Sequence, residues 1–225
     1  MVLNNKVILI TGASSGIGYE LSKLLTEKGA KVICFSKSIP KSKINGVLYF
    51  KVDVTNQKSI QNALRKTNSK IDIMINNAGI IRRGTLFDTS EEEFDLLFDV
   101  NVKGSWLMIK LSKPYLKKDA TIVQMSSRHG ANPQSNPGIY ALTKQADINL
   151  AELLKRTAPN YSVKVLCPGP VDTAIARYGV KGKALKEKLK LTHQAKYVAE
   201  KILKVLEDDK EKLIFNPKTW DYEFE

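Results

Sequence analysis

The sequence predicts a doubly wound α/β fold, a mostly parallel sheet with helices on both faces. Short β-branched runs alternate with longer amphipathic stretches through most of the chain. The apolar runs are nearly continuous rather than strictly alternating, as strands buried on both sides require. A glycine-rich turn joins the first run to the first amphipathic stretch.

KVILIT is the first strand, and a helix follows it to Gly29. KVICFS is the second. The connection from Ser36 to Gly46 is near the shortest that can cross between parallel strands, and Pro40 interrupts it, so a loop or single turn is expected in place of a crossover helix. VLYFKV is the third strand, a helix starts at Thr55, and IDIMIN is the fourth strand. Ser90 and Glu93 have capping-box spacing and open a helix whose apolar stripe runs Phe94, Leu97, Phe98, with Asn101 next on the same face. A buried amide there needs a partner. ATIVQMS, a helix through Tyr140, and YSVKVLC complete the rhythm. Residues 174–193 form a short Lys-rich, substrate-side segment, and 194–225 read as a final helix, KLIFNP as the last strand, and a tail. Without repeats, low-complexity tracts or linkers, residues 1–225 read as one domain.

At 225 residues and 43% hydrophobic, the chain can bury a sizeable core. Runs such as VILI are far shorter than a membrane span, and Met1 to Lys6 carry no secretory pattern, so a soluble cytoplasmic protein with no membrane partner is expected. Cys34 and Cys167 lie in strand-like runs, which favours core packing over a metal or disulfide. The formal charge of +13 raises nucleic acid as a partner. The excess is dispersed Lys, however, and its densest stretch, KGKALKEKLK at 181–190, reads as the solvated face of a helix. No nucleic-acid motif accompanies it.

In TGASSGIG, residues 11–18, Gly12 allows a tight turn, Gly16 lets backbone approach a pyrophosphate, and Gly18 lets helix and strand pack closely. Tyr140 and Lys144 are four apart, so on a helix they share one face. That spacing also fits an ordinary stem-on-ring surface contact. NNAG at 76–79, Asn101, Ser127 thirteen residues before Tyr140, and CPGPVDT at 167–173 add three further motifs and a serine in order. With these residues, and with its TGxxxGxG spacing, the chain resembles the short-chain dehydrogenase/reductase family from residue 6 to about 175.

The resemblance implies a Rossmann-type domain that moves a hydride between a nicotinamide and a carbonyl or alcohol. It implies Tyr140 as acid/base, Ser127 as donor to the substrate carbonyl, and Lys144 as electrostatic partner and holder of the nicotinamide ribose. Asn101 would mark a helix distortion that holds a water in a proton relay. A tyrosine acting near neutral pH needs its phenolate stabilised by roughly 4 kcal/mol. A cation about 4 Å away at an effective dielectric near 20 supplies that order of energy. Expected cofactor contacts are Gly12, Ser14, Ser15, Gly16, Ile17 and Gly18 in the glycine loop, then Ser36 and Lys37, then Asp53 and Val54 at the adenine. Asn77, Ala78 and Gly79 follow, with Asn77 supporting the loop, and Tyr140, Lys144, Pro168, Gly169, Val171 and Thr173 complete the set.

Relatives that prefer NAD(H) carry an acidic residue at the end of the second strand, where this chain has Ser36 followed by Lys37. An acid would repel a 2′-phosphate, whereas a hydroxyl and an ammonium suit it, with Lys41 and Lys43 adding positive potential. NADP(H) is therefore expected over NAD(H). After Thr173 the likeness weakens, and the ending NPKTWDYEFE lacks the glycine pair of many relatives. Arg82, Arg83, Arg128 and His129 either line the pocket and favour a polar or anionic carbonyl substrate, or are ordinary surface charge. The family implies a homodimer or homotetramer through the helices around Asn101 and Tyr140. Two other function classes compete: a non-catalytic NADP-binding sensor or scaffold, and a nucleic-acid binder whose affinity collapses with salt.

Overall fold

The computed structural model describes residues 2–208 and 210–224; Met1, Asp209 and Glu225, which fall in the first and last segments read above, lie outside the described residues. In chain order the strands are β1 Val7–Thr11, β2 Lys31–Ser36, β3 Leu48–Lys51, β4 Ile71–Asn76, β5 Leu116–Met125, β6 Ser162–Cys167, β7 Val171–Asp172, β8 His193–Gln194, β9 Lys212–Asn216 and β10 Asp221–Phe224. The helices are α1 Gly16–Glu27, α2 Gln57–Thr67, α3 Glu91–Leu97, α4 Gly104–Ser112, α5 Arg128–Ala131, α6 Gly138–Thr157, α7 Ala174–Arg177, α8 Gly182–Lys190 and α9 Ala195–Glu207.

The main sheet has the order β10-β9-β6-β5-β4-β1-β2-β3. All its pairs are parallel except β9 with β10. β1 lies between β2 and β4, with Leu9 opposite both Ile33 and Met74. The winding direction therefore reverses at β1, and the crevice past the carboxyl ends of β1 and β4 is where such sheets take ligands.

Successive strand residues feed opposite cores, which explains the unbroken apolar runs. Ile8 and Ile10 of β1, Val32 and Cys34 of β2, and Ile73 and Ile75 of β4 face α1 and α9, where Leu21, Leu25, Val198 and Ile202 are buried. Leu9, Ile33, Phe35 and Met74 face the other way, onto Ile60 and Leu64 of α2 and Leu107 and Met108 of α4. Burying a side chain of this size contributes roughly 1.5–3 kcal/mol. Cys34 packs in the first of these layers and Cys167 in a separate cluster with Ala151, Val163 and Val165, and burial pushes each thiol up to about 11.

Local signals set the helix ends. Asn56 accepts from Ser59 N at 2.9 Å to cap α2, and Ser90 accepts from Glu93 N at 3.3 Å to cap α3. No helix forms between Ser36 and Leu48, as the short connection predicts. After α3 the backbone widens into a π-helical turn, Phe98–Lys103, which holds Asn101.

One expectation is corrected. KLIFNP is not the last strand: the chain turns through 217–220 and returns as β10, antiparallel to β9 with Tyr222 opposite Phe215. The segment reads as a polar tail because only Tyr222, among its strand residues, is fully buried. Its phenol packs on Phe215, and its oxygen accepts from Gly169 N at 3.3 Å. The hairpin thus backs the loop that follows β6.

Candidate active site

A cleft of about 770 Å³ runs along the carboxyl ends of the parallel strands. At its floor is the glycine loop between β1 and α1. Gly12 has φ +69°, and a Cβ there would stand 2.8 Å from Ala78 Cα, so a side chain would collide with the loop after β4. A Cβ on Gly18 would meet Asn77 Nδ2 at 2.6 Å. Asn77 Nδ2 itself donates to the carbonyls of Thr11 at 2.9 Å and Gly12 at 3.2 Å, and Thr11 Oγ1 accepts from the amides of Asn77 and Ala78. The turn after β1 and the turn after β4 are one hydrogen-bonded unit.

Of the residues expected at the site, Gly12, Ser14, Ser15, Gly16, Ile17, Ser36, Lys37, Asp53, Val54, Asn77, Ala78, Gly79, Ser127, Tyr140, Lys144, Pro168, Gly169, Val171 and Thr173 all line the cleft. Gly18 and Asn101 stand behind its wall, both buried. Asn101 Oδ1 accepts from Ile80 N at 2.9 Å, and Nδ2 donates to Ile80 O at 3.0 Å and Thr143 Oγ1 at 2.9 Å. The amide on the buried stripe finds its partner in the loop after β4.

At one end of the cleft, Ser36 Oγ is buried without a hydrogen-bond partner. Lys37 Nζ lies 3.0 Å from Asp53 Oδ2, while Asp53 Oδ1 accepts from Thr55 N at 3.0 Å and Thr55 Oγ1 at 2.7 Å. Burial pushes the Asp53 carboxyl up, but Thr55 and Lys37 outweigh it and hold it below its usual range. The sequence expectation sent Lys37 to a phosphate and Asp53 to an adenine; here they face each other. Lys41 and Lys43 are exposed and do not line the cleft. The close approach at Gly12 and the orphaned Ser36 hydroxyl fit a dinucleotide.

Midway, Ser127, Tyr140 and Lys144 converge. Ser127 lies just past β5 and caps α5, its Oγ accepting from His129 N at 3.2 Å. Tyr140 and Lys144 share the cleft face of α6, with Lys144 Nζ 6.0 Å from the centre of the Tyr140 ring. A Cβ on Gly79 would press on Asn101 Oδ1 at 3.3 Å and touch Lys144 Nζ at 3.5 Å. Lys144 Nζ donates to Met125 O at 2.9 Å and Asp147 Oδ2 at 2.8 Å. Burial pulls the ammonium down, but Asp147 and Tyr140 more than offset it, so Lys144 is held above its ordinary value.

Asp147 is the site residue that sequence reasoning missed. Its Oδ1 accepts from Gln124 Nε2 at 2.6 Å, and Gln124 Oε1 accepts from Asn76 Nδ2 at 3.1 Å. A buried polar chain therefore runs from β4 through β5 to the Lys144 ammonium. Desolvation raises the Asp147 carboxyl, against Lys144, Gln124 and Ser105. The signals were a carboxylate three residues after Lys144 and a glutamine inside an apolar strand run.

Arg82, Arg83, Arg128 and His129 all line the far end of the cleft, joined by Tyr178 and Lys188. Lys188 belongs to the helix that reads as a solvated face, yet its ammonium bonds to Ala176 O.

A family model described as short chain dehydrogenase matches residues 6–183. The oxidoreductase UcpA of Salmonella typhimurium is 36% identical over 191 residues, covering 77% of this chain and 72% of that protein. Among solved structures, ligand-free aldohexose dehydrogenase of Thermoplasma acidophilum superposes with a TM-score of 0.81 at 26% identity, covering 89% of this chain and 86% of that one. A 3-ketoacyl-(acyl-carrier-protein) reductase of Brucella melitensis, complexed with NADH, gives 0.79 at 25% identity over 90% and 91%.

Proposed function

The chain belongs to the short-chain dehydrogenase/reductase family, oxidoreductases that act on CH–OH and C=O groups of small molecules with a nicotinamide cofactor, and on that premise we propose that Tyr140 is its acid/base and NADP(H) its cofactor. The observation that carries this reading is the convergence of Ser127, Tyr140 and Lys144 on one cleft with the glycine loop.

The nicotinamide, when bound, supplies or accepts the hydride. Tyr140 donates a proton to the developing alkoxide in reduction and removes it in oxidation. Ser127 Oγ donates a hydrogen bond to the substrate oxygen and stabilises its negative charge. Lys144 holds positive charge beside the Tyr140 ring and contributes to the ribose site. Asn101 keeps the Ile80 backbone in place beside Gly79 and keeps the π-helical turn open for a water in the proton path. The glycine loop, Asn77 to Gly79 and Pro168 to Thr173 hold the dinucleotide.

Preference for NADP(H) is supported by the hydroxyl of Ser36 where an acid would repel a 2′-phosphate, and by Lys37 beside it. Binding of that phosphate requires Lys37 to turn from Asp53, a motion open to a side chain 84% exposed. Trp106 on α4 and Leu142 and Leu153 on α6 expose apolar surface, which supports assembly as a homodimer or homotetramer. The run of one sheet from β3 to β10 supports reading 1–225 as one domain.

The test follows NADPH and NADH consumption with a panel of aldehydes, ketones and keto acids, for the wild type and Tyr140→Phe. Turnover that prefers NADPH and falls by about 100-fold or more in the variant is expected. Tight NADPH binding without turnover of any carbonyl would favour a non-catalytic sensor instead.

A further inference from the structure

Three cations meet at the substrate end of the cleft. Arg83 comes from the loop after β4, Arg128 from the start of α5 and Lys188 from α8. Arg83 Nη2 donates to Ala176 O at 3.2 Å and Nε to Tyr178 O at 2.7 Å, and Lys188 Nζ donates to that same Ala176 carbonyl. Two positive side chains from distant parts of the sequence thus share one acceptor. Arg128 follows Ser127 directly and is half-buried in the same wall. The three groups feel one another: burial first, then Arg83 and Arg128, pull the Lys188 ammonium down to about 8.

Among the described residues no carboxylate pairs with Arg83, Arg128 or Lys188. Nearby acids are occupied: Glu187, next to Lys188 in sequence, takes Lys190 at 3.0 and 3.2 Å, Asp88 accepts from Thr85, Asp172 takes Arg177 at 2.8 and 2.9 Å, and Glu93 faces Arg82 at 3.8 Å. Like charges brought together in a half-desolvated wall oppose one another, and an anion between them removes that cost. Arg82 spans the Tyr178 ring at 4.7 Å and keeps the side wall ordered. His129 stands between the cations and the proposed acid/base, its ring edge-on to Tyr140 at 6.2 Å. Its Nδ1 is buried without a partner.

We propose that Arg83, Arg128 and Lys188 form an anion site for the carboxylate or phosphate of the substrate, whose carbonyl is turned to Ser127 and Tyr140. The substrate class is an anionic aldehyde, ketone or the corresponding alcohol. This assignment rests on the oxidoreductase reading of the cleft. The dinucleotide's 2′-phosphate is assigned to the opposite end, at Ser36 and Lys37.

Two matched pairs test it: 4-formylbenzoate against its methyl ester, and glyceraldehyde 3-phosphate against glyceraldehyde. Each is titrated by calorimetry into the full chain saturated with NADP⁺ and assayed separately for NADPH oxidation. In at least one pair the anion should bind about tenfold or more tightly than its neutral partner, and the pair that discriminates more tells carboxylate from phosphate. Lys188→Gln and Arg128→Gln should each remove about tenfold of that advantage, with Arg128→Lys retaining part of it, while NADP⁺ affinity changes less than about twofold. Sulfate should compete with the anionic probe in the unaltered protein, a readout that needs no variant to fold. Equal binding of anion and neutral analogue, no binding of either anion at millimolar concentration, or an equal loss of NADP⁺ affinity in the variants overturns the site. Anion binding with no carbonyl reduced sinks the oxidoreductase reading and leaves the site standing; neutral carbonyls reduced as well as anionic ones do the reverse.

Discussion

Lys144 Nζ donates to Asp147 Oδ2 across 2.8 Å, within one turn of α6, and both side chains are buried. The ammonium expected to support Tyr140 is therefore one half of an ion pair, with Gln124 orienting the other half. Breaking a buried pair by removing one partner leaves an uncompensated charge and costs about 3 kcal/mol or more. Asp147→Asn should lower the urea-unfolding free energy by that order and reduce turnover. The double variant Lys144→Met, Asp147→Leu should recover much of the stability with no turnover. An Asp147→Asn protein as stable as the wild type would show that the pair carries no weight.

Gly18→Ala opposes two effects. In a helix interior, alanine is favoured over glycine by about 1 kcal/mol. The added Cβ, however, would lie 2.6 Å from Asn77 Nδ2 and 2.9 Å from Gly12 O. The Asn77 side chain must then leave the Thr11 and Gly12 carbonyls, which unlocks the two turns from each other. Cofactor affinity should drop about tenfold, for the loss of one or two hydrogen bonds, measured by fluorescence titration with NADPH. Unchanged affinity would show that Asn77 does not shape the loop.

His129 is pushed down from 6.5 to about 4, chiefly by burial and then by Arg128, Arg83 and Lys188. The fold thus holds the imidazole neutral while the unfolded chain protonates it. Between those two values the unfolded state binds more protons, so stability contributed by this group is lost as pH falls from about 6.5 to 4. Urea midpoints recorded across that range should decline, and His129→Gln should flatten the decline. Parallel curves for the two proteins would remove His129 as the cause.

Tyr222 joins the terminal hairpin to the cofactor side. It is buried against Phe215, and its oxygen accepts from Gly169 N. Tyr222→Ala should cost about 3 kcal/mol of stability through the lost ring and weaken NADPH binding. Tyr222→Phe should stay within about 1 kcal/mol of the wild type, since it removes one hydrogen bond only. If the alanine variant binds NADPH normally, the hairpin serves the core alone.

By itself the sequence determined what depends on neighbours along the chain. The apolar runs at 7–10 and 73–75 imply strands buried on both faces, and β1 and β4 are such strands. The Ser90 and Glu93 spacing imposes a helix start, and the spacing of the glycines, of Ser127 and of Tyr140 with Lys144 marks the cleft, because periodicity and turn chemistry act over a few residues. Only the tertiary structure decided which polar groups share a buried environment. Asp147 meets Gln124 and, through it, Asn76 because β4 and β5 pair with Asn76 opposite Gln124. Lys37 turns to Asp53, and Lys188 turns from an apparently solvated helix to the carbonyl that Arg83 also holds. The tail becomes β10 because β9 offers an open edge. Such contacts join residues far apart in sequence, and their energies depend on a desolvation that exists only once the layers have packed.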